Sequence, residues 1–401
     1  MSQQLINHSS DLKRLRDEGY DIEVESNYLL IKHVPYVSST KEIQFGTLVT
    51  ELTLAGDVTT KPHTHVAYFI GEHPCNKDGS KMEKIQHQSG EKSLDRDLVV
   101  HHSFSSKPSG GYMDYYDKMT TYVAIISSPA NSINSNVTAR TFPVILSEGG
   151  ESVFNYIDTA SSRAEINAVT RKLELGRIGI VGLGGTGSYV LDLVAKTPVR
   201  EICLFDGDKF SQHNAFRSPG APSVEELKEE PMKVVYLKNR YSKMHRNIVA
   251  NDCYIDASSV DRLKGMDFVF LCLDRSEAKR QIVEKLEVLD IPFIDVGMGV
   301  ELVDGALHGV MRITTSTPKK REHVRGKNRI PFPDGKGTNE YSKNIQIADL
   351  NALNAALAVI KWKKLFDFYK DFENEHFSTY TIDGNSLINE DQYKTQGEAY
   401  A

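Results

Sequence analysis

The stretch RIGIVGLGGTGSYV, Arg177 to Val190, constrains this chain more than any other. An apolar run leads into a turn where Gly182, Gly184 and Gly187 fall in the spacing GxGxxG, and a helical pattern follows. Glycines at that spacing let backbone amides and the positive end of a helix dipole approach a phosphate. A nucleotide-binding strand, turn and helix is the expectation. Asp206 closes the next apolar run, EICLFD, where a carboxylate accepts hydrogen bonds from ribose hydroxyls. To this point an NAD-dependent oxidoreductase fits as well as any other nucleotide enzyme.

From Arg177 onward apolar runs (RIGIVG, EICLFD, DFVFLCLD, PFIDVGM) alternate with helical patterns (GSYVLDLVAK, SEAKRQIVEKLEVL). That alternation predicts an α/β fold with a doubly wound, mostly parallel, Rossmann-like sheet. The first part of the chain has another texture. YLLIKHVPYV, GTLVTELTL, HVAYFIG and TTYVAIISSPA read as short strands broken by Pro, Gly and His, so a smaller α+β domain with few helices is expected ahead of the sheet. The linker is placed at Ser147 to Ser152, which divides the chain into an accessory domain at 1–148 and a nucleotide domain at 153–401.

A length of 401 residues suits two cores. The net charge of −6 gives no global positive field to draw nucleic acid or a membrane surface. No run approaches the roughly 20 apolar residues of a membrane span, and the polar start has no signal core. Cys75, Cys203, Cys253 and Cys272 are scattered, with no CxxC pair. A cytoplasmic protein is expected.

What separates dehydrogenase from nucleotidyl transfer lies downstream. In FDGDKFSQHNAFRSPG, Asp206 and Asp208 are followed by Asn214 and Arg217, and EEPMKVVYLKNRY supplies Lys233. A nicotinamide site has little use for these cations, whereas a triphosphate attacked at its α-phosphorus does, because charge develops on its oxygens and on departing pyrophosphate. Asp274, at the end of DFVFLCLD, is placed to hold Mg²⁺ directly or through water. Singly these are a helix cap, a surface arginine and a solvated lysine. Their order at the strand ends of one sheet favours the site.

GLGGTGS, DGDKFSQHNAFR, Lys233, Asp274 and IQIADLNALNAALAVIKW resemble the adenylation domain of the ThiF/MoeB and ubiquitin-activating enzyme superfamily, over roughly Thr159 to Tyr380. The resemblance implies ATP, Mg²⁺ and a ubiquitin-like protein whose C-terminal glycine carboxylate attacks the α-phosphate. It implies that Gly182, Gly184, Gly185 and Gly187 pack against the nucleotide, with Asp206 and Asp208 on the ribose side. Asn214, Arg217 and Lys233 then contact phosphates, and Asp274 binds the metal. It implies too that an arginine ahead of the first strand, Arg163 or else Arg171, reaches the neighbouring site of a homodimer. Departures are Ser218 and Arg275, where the family carries glutamine and asparagine, and the absence of its CxxC zinc motifs.

The family's ubiquitin-activating members pass the tail to their own cysteine, and nothing after Cys272 is a cysteine. Cys203 and Cys272 lie in apolar strands, and Cys253 is expected to start the third strand. In the crossover region from Thr314 to Asn344, KKREHVRGKNR reads either as a solvated mobile loop or as a grip on an acidic partner. KPHTHVAYFIGEHPCNKDGSKMEKI resembles the core of a ubiquitin-conjugating enzyme, with His73-Pro74-Cys75-Asn76 as its turn and Met82 where the nucleophile would stand. A thioether forms no thioester, so the resemblance implies an inactive docking domain and a separate ubiquitin-conjugating-like thiol protein. An unrelated accessory domain, with Cys75 incidental, is the other reading. Two further functions stay open: the oxidoreductase, and a non-catalytic nucleotide-binding scaffold.

Overall fold

The computed structural model describes residues 2–96, 98–147, 152–274, 277–332 and 345–393. They form two units, Met1–Glu148 with Asp158–Glu165 and Gly149–Ile157 with Ile166–Ala401. Residues 148–151 of the expected linker lie outside the described residues.

The first unit opens with helices α1 (Ser2–His8) and α2 (Ser10–Asp17). Strands β1 (Ile22–Glu25), β2 (Tyr28–Val37) and β3 (Ile43–Glu51) follow, then a small hairpin of β4 (Leu54–Ala55) and β5 (Val58–Thr59). After β6 (Val66–Ile70), β7 (Gln86–Ser93) and β8 (Val99–Ser105) come helices α3 (Tyr115–Ile133) and α4 (Thr159–Arg163). Six strands make an antiparallel sheet in the order β1-β2-β3-β6-β8-β7. Strand periodicity sends Leu29 and Ile31 to one core with Phe69, Phe104 and Met119, and Leu30 to another with Val49 and Val100. Beyond Ile31 the same core takes Val34 and Tyr36. The parity changes because the register of β2 shifts between Ile31 and Val34, around His33 at φ +58°.

TTYVAIISSPA is not a strand. It lies inside the 19-residue helix α3, capped where the Asp114 side chain accepts from Asp117 N at 2.7 Å. Tyr115, Met119, Tyr122, Val123, Ile126 and Ala130 all turn inward, a helical spacing that the local alternation of apolar and small residues concealed. Lys118 of the same helix is buried. Its Nζ donates to Thr50 Oγ1 at 2.6 Å and to the carbonyls of Thr64 and Val66, each at 2.8 Å, so one ammonium ties α3 to β3 and to the start of β6. Burial pushes its pKa down to about 8. Lys118→Met is expected to destabilise the chain by about 2 kcal/mol, because three acceptors lose their donor while only one buried charge is relieved. Urea denaturation followed by circular dichroism measures this, and an unchanged midpoint would refute it.

In the second unit α5 (Asn167–Thr170) leads to β9 (Arg177–Val181), α6 (Gly185–Val194) and β10 (Glu201–Phe205). Then come α7 (Gln212–Ala215), α8 (Val224–Lys228), α9 (Lys233–Tyr241), β11 (Ile248–Asn251), β12 (Phe268–Leu271) and α10 (Glu277–Val288). Strands β13 (Phe293–Val303) and β14 (Ala306–Ser316), helices α11 (Glu322–Gly326) and α12 (Ala348–Leu365), and strands β15 (Phe377–Thr381) and β16 (Ser386–Glu390) complete it. The eight-stranded sheet runs β11-β10-β9-β12-β13-β14-β15-β16, parallel from β11 to β13 and antiparallel from there to β16. Ile178, Ile180, Phe268 and Phe270 pack with residues of α6, α9 and α12, including Trp362. The alternate residues Val181, Val269 and Leu271 pack with Ile282, Val283 and Leu286 of α10. Strands covered on both faces explain the unbroken apolar runs of the sequence. Among the described residues no helix is long and apolar enough to cross a membrane.

Candidate active site

Register sets the site. Val181 pairs with both Phe205 and Leu271, and Phe205 pairs with Asn251, so β9, β10, β11 and β12 end side by side and the loops after them open at one edge. Gly182 bends the chain at φ +87°, and a Cβ there would meet the Cys272 carbonyl at 2.7 Å. A Cβ on Gly187 would lie 1.9 Å from the Gly182 carbonyl oxygen, and one on Gly185 would lie 2.1 Å from Asn351 Nδ2 of α12. These three glycines are needed for packing. Gly184 differs: it caps α6 without a side-chain bond, and a Cβ there would meet nothing within 4 Å. The helix start therefore opens on free space, where an anion is favoured.

Asp206 is nearly buried, and its carboxylate is aimed by two amides, accepting from Leu183 N at 2.7 Å and Asp208 N at 2.9 Å. Lys233 is the first residue of α9, where a cation opposes the helix dipole. Two carboxylates offset that cost: Lys233 Nζ lies 2.7 Å from Asp208 Oδ2 and 3.7 Å from Asp206 Oδ1. Tyr254, past the end of β11, donates its hydroxyl to Asp208 Oδ1. Burial works to raise the pKa of Asp208, yet the bonds from Lys233 and Tyr254 and the charges of Lys233 and Arg217 outweigh it and hold the carboxyl below its ordinary value.

Nearby, three buried polar atoms have no protein partner among the described residues. Asn214 is buried and its Oδ1 accepts from Ser211 N at 2.9 Å, which leaves Nδ2 unpaired. Arg217 Nε is buried and unpaired as well, as is Ser218 Oγ. Orphaned buried polar atoms cost about 1–3 kcal/mol each, so a cluster of them fits a polar ligand. Asp274 is exposed, just past β12 on the strand neighbouring the glycine turn. Arg275 lies outside the described residues. Arg163 belongs to the first unit, on α4, where its guanidinium lies 5.6 Å from the centre of the Phe142 ring. Arg171 is exposed in the short turn Arg171–Leu173 of the second unit.

Sequence reasoning missed Tyr254 and Asn351. Asn351 is fully buried and accepts from Thr186 Oγ1 at 2.8 Å; its signal was a pair of asparagines, 351 and 354, in the otherwise apolar stretch Leu350 to Ile360. Also missed was a buried ion triad, in which Asp295 of β13 meets Lys279 Nζ of α10 at 2.6 Å and Arg312 Nη2 of β14 at 2.8 Å. Two expectations need correction. Cys253 does not start the third strand, since β11 ends at Asn251. Nor is the basic run simply a solvated loop: part of it is α11 and most of its cations sit in ion pairs, with Arg325 and Lys327 still 56% exposed. Lys320 pairs with Glu322, Arg321 with Asp290, Arg325 with Glu287, Lys327 with Asp391, and Arg329 with Glu390 and Asp391. All but the first of these acids are remote in sequence, on or beside α10 and β16. Residues 333–344 of the expected crossover lie outside the described residues.

Among the thiols, Cys75 is buried, donates to the His73 carbonyl at 3.2 Å and has its pKa raised by burial. Burial also raises Cys203, to about 11, and Cys272. None of these three is poised as a thiolate nucleophile.

Residues 154–381 match the ThiF family, more than half of the chain. The chain belongs to the ThiF family. Residues 10–159 match a domain of unknown function, DUF6791. Among solved structures, E. coli MccB with ATP is 17% identical at a TM-score of 0.46, over 60% of this chain and 71% of MccB. PaaA is 15% identical at 0.44, over 56% of this chain and 76% of PaaA. MccB with AMPCPP and MccA is 16% identical at 0.44, over 73% and 82%. No curated protein matches the sequence.

The glycines give a paired prediction. Gly187→Ala is expected to lower stability by about 1–3 kcal/mol, since backbone must move to admit the methyl group. Gly184→Ala is expected to keep full stability and to lose nucleotide affinity. Emission from Trp362, the single tryptophan, follows unfolding, and calorimetric titration with ATP follows binding. Equal stability of the two variants would refute the packing account.

Proposed function

We propose that this chain is an ATP-dependent adenylyltransferase that activates the C-terminal glycine carboxylate of a ubiquitin-like protein. Membership of the ThiF family supports the coarser part, adenylation of a peptide or protein C-terminus with ATP. The single observation that carries the reading is the pair of buried donors without a partner among the described residues, Asn214 Nδ2 and Arg217 Nε, together with Lys233 held by carboxylates and the open start of α6 at Gly184. Such a cradle fits a polyphosphate better than the single pyrophosphate bridge of NAD. A sheet wound in both directions from β9 would carry it, with strand order and two-sided cores in support.

The substrate carboxylate oxygen attacks the α-phosphorus of ATP, a new acyl–phosphate bond forms, the bond to the bridging oxygen breaks, and pyrophosphate leaves. In this reading the first-turn amides of α6 bind phosphate oxygens above Gly184, and Asp206 accepts from the ribose hydroxyls. Lys233 moves from Asp208 to a phosphate oxygen, joined by Arg217 and Asn214, and stabilises the charge that develops there. Asp274 would hold Mg²⁺, which when bound supplies further positive charge to the departing pyrophosphate. The thiolate of a separate ubiquitin-conjugating-like protein then attacks the acyl carbon, a thioester forms, the acyl–phosphate bond breaks and AMP leaves; the raised pKa values of Cys75, Cys203 and Cys272 are one support for an acceptor outside this chain. The domain boundaries 1–148 and 153–401, an inactive conjugating-enzyme-like accessory domain and a cytoplasmic setting complete the proposal.

The test is exchange of labelled pyrophosphate into ATP. Exchange should need a ubiquitin-like protein with a free C-terminal glycine and vanish when that glycine is amidated. Exchange in the absence of that carboxylate would count against the assignment. Lys233→Ala and Asp274→Ala should each lower the rate at least ~100-fold if preorganised charge is the main catalytic contribution; near-normal rates in both would exclude these roles.

The homodimer belongs to the same proposal, with Arg163 reaching the partner copy's site. Arg163→Ala should lose exchange yet fold, and mixing it with Lys233→Ala should restore part of the rate, because one site of each hybrid dimer would hold both residues intact. A lack of recovery after verified subunit exchange would place the arginine outside the reaction.

A further inference from the structure

We infer that Tyr254 is the platform on which the nucleotide base stacks, and that it makes this site selective for a nucleoside triphosphate over bare polyphosphate. The inference rests on the ATP reading above and names a residue that the family motifs leave unassigned. Its starting point is an odd exposure. Tyr254 is 62% exposed, although its ring lies so close to the backbone that a Cβ on Gly207 would be 2.7 Å from Cε2 and 2.9 Å from Cζ. The ring therefore covers the turn between Asp206 and Asp208 with one face and shows the other to solvent. Its hydroxyl is anchored on Asp208 Oδ1, and this bond raises its pKa to about 12, so the ring stays neutral.

Strand order says what should lie on the free face. The glycine turn follows β9, the aspartate that suits a ribose ends β10, and Tyr254 follows β11, the next strand outward. Neighbouring strand ends are about 4.8 Å apart, close to the step from phosphate to sugar and from sugar to base. A nucleotide laid with its α-phosphate at the turn and its ribose on Asp206 thus carries its base to the end of β11. An aromatic ring, held flat against a glycine and tethered at its hydroxyl, is preorganised there for stacking. Gly207 is part of the device, since any side chain at that position would lift the ring.

The experiment titrates the full-length chain with ATP and, separately, with inorganic tripolyphosphate, both with Mg²⁺, by calorimetry. Tyr254→Ala should weaken ATP about 5- to 150-fold, the range of one base–aromatic stack, and leave tripolyphosphate unchanged. Tyr254→Phe should keep ATP within about threefold, because the stack survives loss of the hydroxyl. Unchanged tripolyphosphate binding also reports that the variants are folded. ATP binding that is unaltered or tighter in Tyr254→Ala would overturn the inference and make the ring a bystander or a plug. Equal losses for ATP and tripolyphosphate, or a Phe variant as weak as Ala, would overturn it too, by assigning the effect to Asp208. A wild-type chain that binds tripolyphosphate and not ATP would overturn the adenylation reading itself.

Discussion

The contact between Gly187 and the Gly182 carbonyl is the constraint on which the second unit depends. With the hypothetical methyl group only 1.9 Å from that oxygen, α6 can start where it does only if position 187 has no side chain. The closeness seats α6 directly over the end of β9, and Gly185 lets α12 come in against it through Asn351. Because β9 lies between β10 and β12, that seating also determines where Asp206 and Asp274 leave the sheet. Packing and site share the same few atoms.

The charges near the turn show a balance between stability and use. Lys233 is badly placed for a helix start and is retained there by Asp206 and Asp208, the second of which is held below its ordinary pKa by the lysine and Tyr254. Among the described residues, Asn214 and Arg217 keep buried donors unpaired. Each arrangement is unfavourable for folding alone, and all of them occur at one edge of the sheet. The triad of Lys279, Asp295 and Arg312 is the contrasting case: its charges pair with one another and join α10, β13 and β14.

The first unit solves a different problem. A sheet with apolar side chains on both faces needs a helix on one of them, and α3 fills that role with Tyr115, Met119, Tyr122 and Ile126. The register shift in β2 keeps both ends of the strand turned to that helix. Lys118 then ties the two layers with hydrogen bonds in place of an ion pair, using carbonyls near the start of β6.

By itself the sequence determined the elements whose signals are local. The run into Gly182, the helix after it, the apolar strands β9, β10, β12 and β13, and the order of Asp206, Asp208, Asn214, Arg217, Lys233 and Asp274 were all legible, because a glycine turn and a buried strand each carry their reason within about ten residues. TTYVAIISSPA was misread because seven or eight residues fit both periods, and only the core it faces selects the helix. The ion pairs of the basic run near Arg325 were hidden because its acids, Glu287, Asp290, Glu390 and Asp391, come from other parts of the chain. Tyr254 was an ordinary tyrosine until the parallel register brought the end of β11 beside Asp208. Tertiary structure decided these, since burial, charge pairing and a ring's second neighbour depend on residues that only the folded sheet brings together.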